Sequence, residues 1–374
     1  MKIAIDLTAL AFNFSGIERY AFNITREIIR QNKKHEIELF FCNAIYPDLK
    51  ELVDSNPLVN AVCIQSSNGK FGKLYTFQRK LPKALKGVNA DCYFFPAFAP
   101  PIFFHEHNMI DTMHDIGYFD CPSMWKWYVT LYGKLKLLAA LRHCNNVVTV
   151  SEYTKKRIIE RFGVNENRIR VSKNATDERF CKTEISEENC KRLRNKYCLP
   201  DKPFILCLAT LEPRKNLPLL VNAYIELREK NKIQSHLVLA GRKGWKIDDM
   251  LAKVNDKYKE DITVTGFVDD SDLPFIYSMA DLFVFPSVYE GFGIPPLEAL
   301  ACGTQVLVSD IPVFKEAYGE AANYFENNNL IDLEDKLVNY RNVDESVREN
   351  TIANYGWGKS ASVYMNLFDS INNA

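Results

Sequence analysis

The sequence predicts an α/β protein built of two doubly wound, Rossmann-like parallel sheets. Short apolar runs bounded by turn residues alternate with longer helical patterns along the chain, as parallel strands joined by crossover helices require when both sheet faces are covered. The alternation breaks once, in a charged stretch between Ala175 and Lys202, and then restarts. At 374 residues the chain exceeds the size at which a single core stops growing, so two domains of roughly 150 to 200 residues are expected. Residues 1–180 make the first domain and 200–356 the second, with a helix over 357–374 whose destination periodicity alone does not give.

The elements follow in order. "KIAIDL" at Lys2 is a strand, "SGIERYAFNITREIIRQ" a helix and "EIELFFC" a second strand; further on, "NVVTVS", "EYTKKRIIERFG" and "RIRVS" repeat the unit. After the break, "PFILCLA" opens the second domain, followed by a helix from about Asn216 to Lys230, the strand "HLVLAG", a helix in "KIDDMLAKVNDKY", the strand "ITVTG", the helix "DLPFIYSMA", the strand "DLFVFP" and a helix beginning near Pro296. Ligands of such sheets bind outside the carboxyl ends of the strands. Two such domains face to face would leave a cleft between them.

Lys plus Arg equals Asp plus Glu at 47 each, which excludes a protein defined by overall affinity for nucleic acid. Local charge differs. "KFGKLYTFQRKLPKALK" (Lys70–Lys86) and "WKWYVTLYGKLKLLAALR" (Trp125–Arg142) carry basic and aromatic residues and no acid, a basic surface in the N-terminal half. Asp6 interrupts the opening apolar run, so no signal peptide is expected, and no run approaches the length of a membrane helix. The ten scattered cysteines lack paired spacing and read as reduced thiols of a cytoplasmic protein.

The chemistry concentrates in "PSVYEGFGIPPLEALACG", Pro286–Gly303, where a strand runs into a glycine-punctuated turn and a proline-started helix. Gly291 and Gly293 let backbone approach a ligand, and a helix start binds phosphate. Glu298, placed in the first turn, gains from the helix dipole and, ionised, suits a vicinal diol such as a ribose. In "TLEPRKNLPLL", Arg214 and Lys215 precede a helix whose dipole opposes them, so they call for an anion such as a diphosphate. "MIDTMHDIGYF" sets His114 beside Asp115, an imidazole and a carboxylate that together could bond a hydroxyl or move a proton. Gly16 opens the first helix, which carries Arg19, and could let that helix start approach the donor's sugar or phosphate. "HEH" at His105 lacks further ligands for a metal, and "DDSD" at Asp269 reads as a helix start.

Together these motifs resemble the retaining glycosyltransferases of GT-B fold with the Glu-x7-Glu signature, family four, and among them the mannosyltransferases. The resemblance runs through "SGIERYAFNI", "TMHDIGYF", "VTVSEYTKKRI", "LEPRKNLPLLVNAY", "TGFVDDSDLPFIYSMADLFVFPSVYEGFGIPPLEALACG" and "SDIPVFKEAYGEAANYF". It implies that Glu298 holds the donor ribose and that Glu290 lies near the donor sugar, with Gly291, Phe292, Gly293 and Ile294 offering backbone to sugar and phosphate. Arg214 and Lys215 become the diphosphate clamp, and His114 the histidine beside the donor sugar. Val268 and Leu273 belong to the segment whose backbone reads the base. Two positions depart from the family pattern: Glu18 stands where relatives often have a second glycine, and Ala175 replaces the glycine of the usual linker turn.

The resemblance also implies that the last helix crosses back to the first domain and that the acceptor binds mainly there. The expected reaction moves a hexose, mannose from GDP-mannose, onto a hydroxyl of a glycan or lipid-linked saccharide in cell-surface polysaccharide synthesis, with retention, without metal or other cofactor, and in peripheral contact with the anionic inner membrane face. The same chemistry with a UDP-sugar or dTDP-rhamnose is the alternative, although a dTDP donor lacks the ribose 2′-hydroxyl that Glu298 suits. A phosphorylase, a sugar-nucleotide epimerase or an inactive scaffold subunit of the same fold are the further rivals. A glycosidase acid pair does not fit, because such an acid needs a raised pKa in a less polar pocket.

Overall fold

The computed structural model describes residues 1–10, 16–67, 69–244, 250, 252, 254 and 257–373. The chain divides into two compact units, Met1–Asn174 with Gly356–Ala374, and Ala175–Tyr355.

Among the described residues, the first unit holds a sheet of seven strands: β1 (Lys2–Asp6), β2 (Glu36–Cys42), β3 (Val59–Ile64), β4 (Cys92–Phe95), β5 (Met109–Met113), β6 (Asn146–Thr149) and β7 (Ile169–Val171). Their order is β3-β2-β1-β4-β5-β6-β7, and every pairing is parallel. β4 and β5 are buried at every position, as a parallel sheet covered on both faces requires. Ala4, Tyr93, Phe95, Met109 and Met113 pack in one core with Leu137, Ala140 and Leu141 of the helix Trp127–His143. On the other face, the Tyr364 hydroxyl shares hydrogen bonds with Tyr20 at 2.7 Å and Thr112 at 2.8 Å, and Gln31 donates to the Gly358 carbonyl at 2.9 Å. These contacts seat the last helix, Trp357–Asn372, against Gly16–Gln31.

The second unit has six strands among its described residues: β8 (Phe204–Leu208), β9 (His236–Ala240), β10 (Ile262–Gly266), β11 (Leu282–Phe285), β12 (Gln305–Ser309) and β13 (Asn323–Phe325). They lie in the order β10-β9-β8-β11-β12-β13, again all parallel. In each sheet the chain works outward on one side and then returns to build the other, so the strand order reverses between β1 and β4 and between β8 and β11. A crevice opens at such a switch point, because the loops leaving the two central strands diverge.

One boundary differs from expectation. The charged segment after Ala175, read as a break between domains, belongs to the second unit and carries the helix Glu187–Tyr197. That helix is anchored by Asp272, which accepts from Arg192 at 2.8 Å, Lys196 at 2.7 Å and the Tyr197 hydroxyl at 2.7 Å. The helix Leu273–Met279 begins directly after "DDSD", as expected, and Asp272 at its start makes no side-chain cap to it. The helix expected in "KIDDMLAKVNDKY" lies largely outside the described residues.

Candidate active site

The strand-to-helix turn after β11 and the loop after β8 leave neighbouring strands at the switch point of the second unit, so residues far apart in sequence meet there. The Val288 amide donates to the Arg214 carbonyl at 3.0 Å and ties the two loops together. Arg214 and Lys215 lie in a single 3-10 turn, Pro213–Lys215. Arg214 Nη1 donates to Glu290 Oε2 at 2.8 Å and to the Tyr289 carbonyl at 3.2 Å, and Nη2 donates to Glu212 Oε1 at 3.0 Å. Lys215 Nζ donates to Glu290 Oε1 at 2.5 Å and stands 4.8 Å from the centre of the Phe285 ring.

Glu290 is only 7% exposed. Burial pushes its carboxyl up, but the charges of Arg214 and Lys215 outweigh that and hold it below the ordinary glutamate value. Burial and the adjacent guanidinium push the Lys215 ammonium down, against the pull of Glu290. Two cations thus share one buried carboxylate, with Glu212 balancing Arg214 from the rim. The anion that Arg214 and Lys215 call for is already present in the chain, and periodicity could not have shown it.

The helix after the turn is Ile294–Ala301, starting two residues earlier than expected. Glu298 consequently stands in its second turn, not its first, and direct stabilisation by the helix end fades beyond the first turn. It is 2% exposed, and its Oε2 accepts from the Tyr277 hydroxyl at 2.9 Å. Tyr277 comes from the helix Leu273–Met279, so Glu298 is joined to the segment that holds Val268 and Leu273, both buried. Gly291, Phe292, Gly293 and Ile294 are buried along the turn.

Gly293 has a packing reason as well as a place near the turn. Its φ is +96°, and a Cβ there would lie 2.6 Å from Phe314 Cε1 and 2.9 Å from the Tyr318 hydroxyl. That hydroxyl donates to the Gly293 carbonyl. Tyr277, Phe314 and Tyr318 were missed in the sequence; the one signal for them was aromatic residues on helices adjoining the signature.

In the first unit, His114 follows β5 and its Nε2 donates to the Pro96 carbonyl at 2.9 Å, beyond β4. That bond sets the neutral tautomer, with Nδ1 as the acceptor nitrogen. The ring meets Tyr20 edge-on at 5.0 Å, and burial pulls its pKa down to about 4. Asp115 Oδ1 accepts from the Gly117 amide at 2.8 Å and shapes the turn after β5. Gly16 is the first residue of its helix and is exposed, while residues 11–15 before it lie outside the described residues. His105 stacks on His143, with ring centres 3.8 Å apart.

Two all-parallel, doubly wound sheets, the second carrying this strand-to-helix turn at its switch point, are the architecture of a GT-B glycosyltransferase. Two family models together span most of the chain: "Glycosyltransferase Family 4" matches residues 14–180 and "Glycosyl transferases group 1" matches residues 191–354. The chain belongs to these glycosyltransferases. It is 27% identical over 345 residues to O-antigen chain mannosyltransferase B of Escherichia coli, covering 88% of each chain. To O-antigen chain mannosyltransferase RfbU of Salmonella typhimurium it is 24% identical, covering 94% of this chain and 95% of the relative. In fold it is similar to sucrose-phosphate synthase of Thermosynechococcus elongatus, with a TM-score of 0.78 at 18% identity over 100% of this chain and 99% of that one.

Proposed function

We propose that the protein transfers mannose from GDP-mannose, with retention of anomeric configuration, to a hydroxyl of a glycan or lipid-linked saccharide during cell-surface polysaccharide synthesis. The observation that carries this reading is the meeting of Arg214, Lys215 and Glu290 at the β8–β11 switch point, beside a glycine turn and a helix start. A departing diphosphate needs positive charge aimed at the oxygens where charge develops. Arg214 and Lys215 supply it, without recourse to a metal or other cofactor. Glu298 and Tyr277 hold the ribose, and the segment at Val268 and Leu273 meets the base.

In the transfer, the bond from the anomeric carbon to the diphosphate oxygen breaks and a bond from the acceptor oxygen forms on the same face. The acceptor proton passes to the leaving phosphate, so the products are the mannosylated acceptor and GDP. Glu290 is released to the sugar as the phosphates take over its cations. His114 belongs to the other unit, and its place beside the donor sugar rests on the family resemblance. The mannosyl donor is supported by the names of the two O-antigen relatives.

Peripheral contact with an anionic membrane at the cytoplasmic face is part of the same proposal. No described helix is long and apolar enough to cross a membrane. Phe71 is 89% and Trp127 77% exposed, and Leu131 and Leu135 stand out on the same helix as Trp127. Residues 69–88 and 122–143 around them contain Lys and Arg but no acid, a composition suited to anionic lipid.

A thermal-shift panel of GDP, UDP, dTDP and ADP tests the donor: a ligand at about 100 times its Kd stabilises by roughly 2.7 kcal/mol. Stabilisation by GDP alone supports the reading, and stabilisation by UDP or dTDP alone overturns the mannosyl donor. Co-sedimentation with phosphatidylglycerol vesicles, but not with neutral ones, is the outcome expected of membrane contact.

A further inference from the structure

The turn between β11 and the helix Ile294–Ala301 is held by two hydroxyls, both from the chain that follows it. Ser309 ends β12, and its Oγ donates to the Ser287 carbonyl. Tyr318 ends the helix Pro312–Tyr318, and its hydroxyl donates to the Gly293 carbonyl. Ser287, Ser309 and Tyr318 are fully buried.

A hydroxyl bound to a carbonyl also fixes the other side of that peptide. A trans peptide is planar, so its C=O and N–H point in opposite directions, and no cis peptide occurs among the described residues. With the Ser287 carbonyl held by Ser309, the Val288 amide faces the other way and donates to the Arg214 carbonyl at 3.0 Å. The same geometry at Gly293 sends the Ile294 amide away from Tyr318, outward from the helix start.

Ile294 is the first residue of its helix, and amides of a first turn have no acceptor within the helix. The next two positions are Pro295 and Pro296, which have no N–H. Of the first three helical residues, Ile294 alone can therefore present an amide to an anion. Gly293 stands at φ +96° and ψ 86°, and a glycine without an anchor turns readily.

The anchor is itself braced. The Tyr324 hydroxyl donates to the Gly319 carbonyl at 2.8 Å and the Tyr355 hydroxyl to the Ala317 carbonyl at 2.7 Å, fixing the end of the helix that bears Tyr318. The Tyr318 ring packs on Phe314 with 5.6 Å between centres, and Tyr355 meets Phe292 of the turn edge-on at 5.5 Å. Burial, then the charge of Glu290, pushes the Tyr318 hydroxyl well above its ordinary value, so it keeps the proton it donates.

We propose that Tyr318 is a positioning residue: by holding the Gly293 carbonyl it aims the Ile294 amide at the phosphate that gains charge as the sugar departs. The proposal rests on the transferase reading above, and the phosphate concerned is the terminal one of the nucleoside diphosphate. An amide fixed in advance costs no reorganisation when that charge develops.

The test is titration calorimetry of the full chain with GDP and with GMP, which lacks that phosphate, in the wild type, Tyr318→Phe and Tyr224→Phe. Tyr318→Phe keeps the ring and removes only the hydroxyl. Tyr224 is the control, an equally buried tyrosine whose hydroxyl donates to the Ser235 and Asp261 carbonyls at 2.8 and 3.0 Å, at the amino ends of β9 and β10. The expected result is about tenfold weaker GDP binding in Tyr318→Phe with GMP binding unchanged, and neither affinity altered in Tyr224→Phe. In protein labelled at isoleucine nitrogen, GDP moves the Ile294 amide resonance of the wild type and moves it less in Tyr318→Phe. GDP affinity unchanged in Tyr318→Phe, GDP and GMP weakened equally, or the same loss in Tyr224→Phe overturns the positioning role. A wild type that binds UDP but not GDP overturns the mannosyl donor instead, and UDP against UMP then decides Tyr318 in the same way. A wild type that binds neither diphosphate removes the transferase reading and the role of Tyr318 with it.

Discussion

Lys215 and Glu290, 75 positions apart in sequence, meet in a direct ion pair with Nζ 2.5 Å from Oε1, and Arg214 binds the other oxygen of the same carboxylate. Under the proposed function a diphosphate would draw on these same cations, so donor binding and this pair should compete. Glu290→Gln leaves both cations without their buried counter-charge and should destabilise the protein by about 3 kcal/mol. The same variant should gain more from GDP than the wild type does, while sugar transfer drops at least about a hundredfold. Thermal melts with and without GDP, together with transfer rates, check this; a smaller GDP shift in Glu290→Gln would refute the competition. Lys215→Met should lower GDP affinity about tenfold or more.

Gly293 is held at a positive φ with no room for a Cβ. Gly293→Ala should cost about 2 kcal/mol from strain and overpacking against Phe314 and Tyr318. Chemical denaturation measures it. A loss below about 0.5 kcal/mol would mean that the turn relaxes freely.

His114 is neutral in the folded protein down to about pH 4, because burial opposes its charge. An unfolded histidine takes up a proton near pH 6.5. Between those values the unfolded chain binds the extra proton, so this group's contribution to stability rises with pH through that window and is complete above it. The stability difference between the wild type and His114→Asn should follow that course, read by denaturant melts from pH 4 to 8. Its ring C–H resonance should show no inflection between pH 5 and 8.

Asp272 ties the helix Glu187–Tyr197 to the second unit. Burial pushes its carboxyl up, but the bonds from Arg192, Lys196 and Tyr197 prevail and hold it well below the usual aspartate value. The contribution is present above the unfolded value near 4 and fades as pH falls below it. Asp272→Asn should cost about 1 kcal/mol at pH 7, since Arg192 and Lys196 are partly solvated, and less in high salt. The gap between variant and wild type should close toward pH 2, as followed by thermal melts.

Much of this protein could be read from local sequence. Apolar runs alternating with helical periods are set by neighbouring residues, so the parallel sheets, the restart after the charged segment and the position of Glu290 in a strand-to-helix turn were all legible. The cations at Arg214 and Lys215 could be located, and their need for an anion argued from the helix beside them. Boundaries were less secure: the start of the helix at Ile294 moved Glu298 from the first turn to the second.

Strand order lay beyond local reading. β8 and β11 become neighbours only because the chain winds outward and then returns, and that adjacency brings Glu290 to Arg214 and Lys215. In the first unit, the docking of Tyr364 against Tyr20 gives the last helix its place. Local propensity specifies which segments form strands and helices, whereas contacts across many tens of residues depend on which strands pair. The sequence by itself determined the elements and the chemical types at the site; the tertiary structure decided which charges meet, because strand pairing sets which distant residues become neighbours.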